Sequence, residues 1–544
     1  MSKPIDPVSL GVMWDRLIAI ADDILLSMIR TSFSVGVREA WDLAVMLFDA
    51  EGRSIAQGTL SMPAFIGTAP YTMQHVLKRY PAAGMKPGDV IAVNDPWLGT
   101  GHTPDVCITR PIFAGGRLVG FVMTITHLPD IGGNGLTVAN TEVYQEGLIL
   151  PICKLVDGGE EVREMWDLIR ANVRTQDQVI GDLMAHVGGT AVGERLVQEF
   201  MSDFALDDLQ ALADAIIGQS ARAIRARVAA IPDGVYTNSL STEGTDGDIK
   251  LACTVTVKGE DIHVDYGGSD PCVAAAINVP LNYTSSFTTY VVKCLTTPDV
   301  PNNAGTLAPI TVAAPVGCIL NAERPRSVGG RHSIGWFIVP LVMGALAEAL
   351  PDRVAADAGM ASLFLVHGTR PDGRSIVTQY FCAGGLGAIK GLDAHQTTPF
   401  PTNNAVVSSE VFEAETGATV LTRRLLPDSG GAGEFRGGLG QEAAFTNTSG
   451  HPMAVFMFGL RTRHAARGVF GGKDGAKRSF SIDGKAIPPK GKAMLEPGQT
   501  FVVHEAGGGG YGDPAKRDRA AVAADIESGF ITPEGAKRDY GVTV

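Results

Sequence analysis

The sequence predicts an α+β, multi-domain mixed fold, and three observations carry that prediction. Apolar residues recur at helical spacing near the start of the chain and again over about residues 174–227. From Asp233 the period falls to two, and from about Ala383 glycine clusters separate short apolar runs. At 544 residues the chain has room for several cores. The pattern divides it into an N-terminal α+β domain (1–160), a helical segment (161–232), an α+β domain (233–382), a Gly-rich β domain (383–515) and a helical tail (516–544).

Taken in order, Asp6-Pro7 is an N-cap followed by a proline at the first helical position. Leu17, Ile20, Ile24, Leu25 and Met28 then keep helical spacing, so a helix is expected over about 7–31. Trp41 to Phe48 reads as a strand apolar on both faces, closed by the turn Asp49-Ala50-Glu51-Gly52, and Pro70 to Tyr80 reads as a helix. Val106 to Phe113 and Leu118 to Ile125 flank Ala114-Gly115-Gly116-Arg117, the signature of an antiparallel hairpin. Tyr144 to Leu155 reads as extended and Glu160 to Asn172 as helical. Residues 174–227 read as helix broken at Gly188-Gly189. Beyond Asp233, strands are expected at Cys253–Val257, His263–Tyr266, Ile310–Val312 and Cys318–Leu320, and helices at Asn282–Leu295 and Ser333–Leu350. In the last third, Thr419–Leu425 and Ala454–Leu460 read as strands, and most glycine clusters read as sharp corners. Asp518–Gly541 reads as helical.

Composition excludes several classes. With 45 Lys+Arg against 58 Asp+Glu the net charge is −13, and no basic stripe suits nucleic acid. The most membrane-like run, Ile334 to Ala347, is 14 residues long and contains Pro340, too short to span a bilayer. The seven cysteines are scattered without a C-x-x-C pair, and the N-terminus has no signal-peptide design, so a reduced, cytoplasmic setting is expected. No nucleotide-binding fingerprint occurs. Val328-Gly329-Gly330-Arg331-His332 is a Gly-rich helix entry whose N–H groups and arginine suit an anion.

Chemistry concentrates at the hairpin ends. His102-Thr103-Pro104-Asp105 precedes its first strand and His127-Leu128-Pro129-Asp130 follows its second. Antiparallel pairing brings these ends together, and two imidazoles with two carboxylates suit a divalent zinc, manganese or iron ion. The alternative is that each His and Asp only caps a turn. Asp42, near the start of a strand that otherwise looks core-like, needs a partner to be buried. A salt bridge to Arg38, a turn cap and the metal are the three options.

The runs NDPWLGTGHTPDV, HLPDIGG, RPRSVGGRHSIGWFIVPLVMGALAEALPDRV, PDSGGAGEFRGGLG and GGGGYGDPAKRDRAAVAADIESGFITPEGAKRDYGV occur in that order over almost the whole chain. Together they resemble the hydantoinase B/oxoprolinase family. The resemblance implies a hetero-oligomeric, ATP-dependent hydrolase of small cyclic amides. A partner of the hydantoinase A type, an ATPase similar to the sugar-kinase/actin class, binds ATP and phosphorylates the substrate oxygen, and this chain completes the reaction at a metal site. The family's metal residues carry over onto Asp42, His102, His127 and Asp130, with Asp105 a ligand or an orienter of His102. His464 is a further candidate from the C-terminal part. Gly99-Thr100-Gly101-His102 stands where the family usually has Gly-Gly-Thr-His. Asp42 and Asp105 are the candidate catalytic carboxylates, and Arg331, Arg461 and Arg463 the candidate phosphate or substrate holders. Two rival readings are a component of an ATP-dependent ketone carboxylase and a metal-free scaffold for the ATPase.

Overall fold

Helix α1 (Pro7–Thr31) begins where the cap motif places it, with the Asp6 carboxylate accepting from the backbone N–H groups of Val8 and Ser9 at 3.1 Å each. The computed structural model describes residues 5–370 and 372–542; the first four residues of the expected first domain, Pro371 and the last two residues of the tail lie outside.

A seven-stranded antiparallel sheet follows. Its strands are β1 (Leu43–Asp49), β2 (Ser54–Gln57), β3 (Val90–Val93), β4 (Asp105–Ala114), β5 (Arg117–His127), β6 (Cys153–Asp157) and β7 (Glu160–Glu161). They lie in the order β2-β1-β5-β4-β3-β6-β7. The predicted hairpin is β4–β5, extended so that Asp105 pairs with His127 at one end and Ala114 with Arg117 at the other. Its turn is Gly115-Gly116, both with positive φ (56° and 77°), the conformation a two-residue hairpin turn demands. β1 lies along the other side of β5, Leu43 opposite Thr126, which sets Asp42 beside the end of β5.

Both faces of this sheet are buried, as the run of apolar residues in β1 requires. Leu43, Val45 and Leu47 pack with Ile24, Leu25 and Met28 of α1. Ala44, Met46 and Phe48 join the opposite core with Phe65 and Phe287. The break expected at Gly188-Gly189 does not occur, and one helix runs Gln176–Asp203. Its glycines serve packing instead: a Cβ on Gly189 would lie 2.8 Å from Met28, and one on Gly193 2.8 Å from Ile24. Losing side chains there lets this helix lie against α1.

Other expectations are corrected in detail. Trp41 and Asp42 precede β1, and Trp41 has φ of 55°, a left-handed turn that re-aims the chain into the strand. The helix expected from Pro70 starts at Phe65. Of Tyr144–Leu155 only the end is strand, and Cys318 forms an isolated bridge to Pro271. The helix expected at Ser333–Leu350 is two short ones, His332–Gly335 and Ile338–Ala345. A four-stranded sheet spans residues 234–313 with helix Leu281–Thr296 against it. Strand Ala361–Thr369 pairs with Ser375–Ala383 and with Met453–Phe458, so one sheet crosses the boundary expected after residue 382.

The glycine clusters of the last third differ most from expectation. Rather than turning corners, they run side by side, backbone against backbone. Gly385 donates to the carbonyl of Ala506, Gly438 to Leu386, Gly508 to Gly438 and Gly431 to Gly508. A Cβ on Gly385 would lie 1.8 Å from the Gly438 oxygen, and one on Gly507 1.7 Å from that of Ser429. All seven cysteines are free thiols. No helix among the described residues is long and apolar enough to cross a membrane.

Candidate metal centre

Register alone creates the centre. Asp105 opens β4 and His127 closes β5, and the two are paired partners. His102 sits three residues earlier, on a loop where Gly101 has φ of 99° and where a Cβ would lie 2.8 Å from the Arg331 side chain. The rings of His102 and His127 lie 5.1 Å apart. Asp105 Oδ1 is 2.8 Å from His102 Nε2 and 3.0 Å from His127 Nδ1. One donor atom from each of the three residues falls within 4.8 Å of the others, a spacing that fits a single ion. All three are buried.

The second oxygen of Asp105 is fully engaged. Oδ2 accepts from Thr100 Oγ1 and from Arg331 Nη2, each at 2.8 Å. Arg331 also donates Nε to the Thr100 carbonyl and lies 4.0 Å over the Tyr283 ring. Burial opposes charge on Asp105, yet His102 and Arg331 hold its carboxyl well below the usual range. Asp42 lines the same cavity, and no hydrogen-bond donor among the described residues reaches its carboxylate. Burial lifts its pKa to about 6, with His127 pulling it down and Asp105 pushing it up.

The tautomer of His102 shows what the group fits. Nδ1 lies 2.9 Å from the Gly329 carbonyl, which only accepts, so Nδ1 carries the proton. Burial, aided by Arg331, brings the pKa of His102 down to about 4, so Nε2 carries a bare lone pair at neutral pH. That lone pair faces the Asp105 oxygen without an aligned hydrogen bond. Two electron-rich atoms at 2.8 Å repel unless a cation lies between them. His127 differs: burial works against its proton, but the bond to Asp105 and the charges of Asp42 and Asp105 prevail and raise its pKa.

Behind His102 is a support that the sequence did not reveal. Glu146 Oε1 accepts from the N–H groups of Val328 and Gly329, both at 2.6 Å, and from the Ser327 hydroxyl. The anion expected at the Gly-rich entry is therefore an internal carboxylate. It pins the loop whose Gly329 carbonyl orients His102, the support a ligating histidine commonly has.

Other candidate residues lie elsewhere. Asp130 Oδ1 accepts from Gly132 N–H at 3.1 Å and Arg174 Nη1 at 2.7 Å, and Oδ2 accepts from the Arg174 backbone N–H. Asp130 thus braces the end of β5 and is not part of the group. The two motifs look alike, but Asp105 begins a strand at the centre whereas Asp130 lies past a turn. His464 Nε2 lies 2.8 Å from Asp248, and Arg463 donates to the same carboxylate at 2.6 Å. Arg461 is buried, donating to the carbonyls of Ala358 and Ala465 and pairing with Asp357. None of Asp130, His464, Arg461 and Arg463 lines the cavity at the group. Arg331 does line it, but as the support of Asp105 rather than a free anion holder.

The family described as hydantoinase B/oxoprolinase matches residues 6–514. The chain belongs to this family. It is 30% identical over 564 residues to the beta chain of the caprolactamase of Pseudomonas jessenii, covering 99% of this chain and 96% of that one. It is 28% identical over 571 residues to the B component of a provisionally designated D-/L-hydantoinase of Pseudomonas sp. (strain NS671), covering 100% of this chain and 96% of that one. The crystal structure of the ATP-dependent caprolactamase from Pseudomonas jessenii superposes with a TM-score of 0.91 at 27% identity, covering 100% of this chain and 97% of that one. The mixed α/β architecture is thus that of the family.

Proposed function

We propose that this chain is the hydantoinase-B-type component of an ATP-dependent cyclic-amide hydrolase, and that His102, Asp105 and His127 hold a divalent zinc, manganese or iron ion, with Asp42 beside them on the same cavity. The relatives named as B and beta components of larger enzymes support a hetero-oligomer, and a partner ATPase supplies the ATP site. The observation that carries the metal is the bare Nε2 of His102 against the Asp105 carboxylate in a buried group. Two imidazoles with carboxylates suit first-row divalent ions better than calcium.

A lactam resists water because its nitrogen donates into the carbonyl and leaves poorly. Transfer of a phosphoryl group from ATP to the carbonyl oxygen by the partner opens the ring carbon to attack by water. The C–N bond then breaks with a proton taken up on nitrogen, and a second water releases phosphate from the acyl phosphate to leave a carboxylate. A bound divalent ion supplies Lewis acidity and acidifies water beside it. The chain's own residues orient and take protons. Arg331 and Thr100 hold Asp105 in one rotamer, and Gly329 holds His102 as the Nδ1–H tautomer. Asp42, free of hydrogen-bond donors and with a pKa near 6, is placed to accept a proton from attacking water. The apolar wall of Met62, Phe65 and Leu136 excludes bulk water.

The test is metal content by plasma mass spectrometry for the wild type beside His102→Ala, followed by ATP-dependent turnover of hydantoin and lactams with the partner. About one ion per chain, lost in the variant with turnover, is expected. A wild type that takes up no ion after reconstitution yet turns over fully with its partner refutes the metal mechanism.

A further inference from the structure

The cavity beside the candidate ligands has two unlike walls. One is the ligand group with Arg331. The other is mainly apolar, with Met62, Phe65, Leu136, Leu363, Phe381 and Trp336, and is interrupted by the imidazole of His332 and by the uncharged polar side chains of Tyr283, Thr402 and Asn404. His332 is 6% exposed, packed between the rings of Trp336 at 4.9 Å and Phe458 at 5.0 Å. Its Nε2 has no hydrogen-bond partner among the described residues. A buried polar atom left without a partner is costly unless a ligand or water completes it. Burial also holds this imidazole neutral, with its pKa well below the ordinary value.

The charge lining the cavity lies at its ligand end. Arg331, the only lysine or arginine lining it among the described residues, is engaged by Asp105 and by the Thr100 carbonyl. Asp42 and Asp105 carry two negative charges against the one positive charge of Arg331, so a divalent ion there would leave a surplus of one positive charge at that end, which an oxygen or phosphate of the substrate would take. With an ion held by the ligand group, the amide oxygen and any phosphate on it would face that end. The rest of the ring meets the apolar wall, where a further anion has no counter-charge. At about 50 Å³, the cavity is smaller than the roughly 150 Å³ that a benzene-sized guest fills. Small rings are therefore favoured, and the flexible Met62 and Leu363 side chains must shift to admit them.

We propose that this cavity is a subsite for a small uncharged ring, that His332 Nε2 hydrogen-bonds the ring's amide group, and that rings bearing a carboxylate are rejected. The proposal rests on the cyclic-amide reading of the same site and narrows it to neutral lactams and hydantoins, against carboxylated rings such as 5-oxoproline. His332 is a specificity residue here, separate from the metal group.

A matched pair tests it: 2-pyrrolidinone and 5-oxoproline, the same five-membered lactam without and with a carboxylate. Binding to the metal-loaded full chain is read by ligand-observed NMR titration. The neutral ring is expected to bind at least about ten-fold more tightly. His332→Phe keeps the stacking and is expected to weaken that binding about ten-fold at unchanged metal content. Leu363→Arg, on the half-buried part of the wall, is expected to raise binding of 5-oxoproline several-fold. Equal or tighter binding of 5-oxoproline by the wild type overturns the proposal, as does an unaltered neutral-ring affinity in a folded His332→Phe chain or failure of neutral rings to bind the loaded chain. Turnover by the complex with the partner separates the two levels. If no cyclic amide is turned over while the binding ranking holds, the hydrolase reading falls and the subsite stands. If 5-oxoproline is turned over as readily as 2-pyrrolidinone, the subsite falls and the hydrolase reading stands.

Discussion

Replacing Glu146 with glutamine separates the charge of this residue from its shape. The carboxylate is buried, and that burial lifts its pKa to about 7 from an ordinary value near 4.5, even though Ser327, Gly329 and Val328 all donate to it. Such a displacement corresponds to about 3 kcal/mol for ionising the group inside the fold. The sign follows from proton binding. Between pH 4.5 and 7 the folded chain keeps a proton that the unfolded chain has lost, so wild-type stability falls by about that amount over this window. Glu146→Gln abolishes the fall, because the amide does not titrate. The amide oxygen still accepts from Val328 and Gly329, but its NH₂ occupies the place of Oε2, which has no partner. An unsatisfied buried donor costs about 1–3 kcal/mol at every pH. The variant is therefore expected to be less stable than wild type at pH 5 and equal to it or more stable at pH 8, measured by urea denaturation. Its metal affinity should stay close to wild type, because the Gly329 carbonyl remains in place. Glu146→Ala frees the loop and is expected to lose about 10–100-fold in metal affinity by chelator competition. Stability curves for wild type and Glu146→Gln that run parallel from pH 5 to 8 refute this account of the buried carboxyl.

Asp105→Asn is expected to lose the bound metal and turnover, whereas Asp130→Asn keeps its metal because that carboxylate serves Arg174; plasma mass spectrometry of the two variants decides. Gly385→Ala forces a methyl to within 1.8 Å of the Gly438 oxygen and is expected to abolish soluble expression or lower the melting temperature by more than about 10 °C. Gly11→Ala, on an exposed position of α1 with nothing within 4 Å, is expected to stabilise by about 0.5–1 kcal/mol in the same melting assay. Glu243 is buried but accepts from the N–H groups of Arg463 and His464, which bring its pKa down to about 2. Its contribution is complete above pH 4.5 and lost as pH falls toward 2. Glu243→Gln should accordingly flatten acid unfolding between those values, followed by circular dichroism.

The residues themselves determined the local elements. Asp6-Pro7 dictated a helix start, Gly115-Gly116 a hairpin turn, and that turn's register placed one His-Asp motif opposite the other. Each decision rests on contacts within a few residues, so sequence patterns expose it. Only the tertiary structure decided which acids serve the centre. Asp105 and Asp130 stand in the same motif, but the first is the opening residue of β4 and the second lies past a turn, where Arg174 takes it. Glu146 reaches the centre through Val328 and Gly329, more than 180 positions away, and no local pattern marks such a contact. The glycine clusters show the same limit. Composition announces backbone that tolerates any conformation, but whether it bends into corners or lies against other backbone depends on segments brought together by the whole fold, such as Gly385 on Gly438 and Gly507 on Ser429. Local sequence sets the conformations available to each segment, and long-range burial of charge and of backbone selects among them.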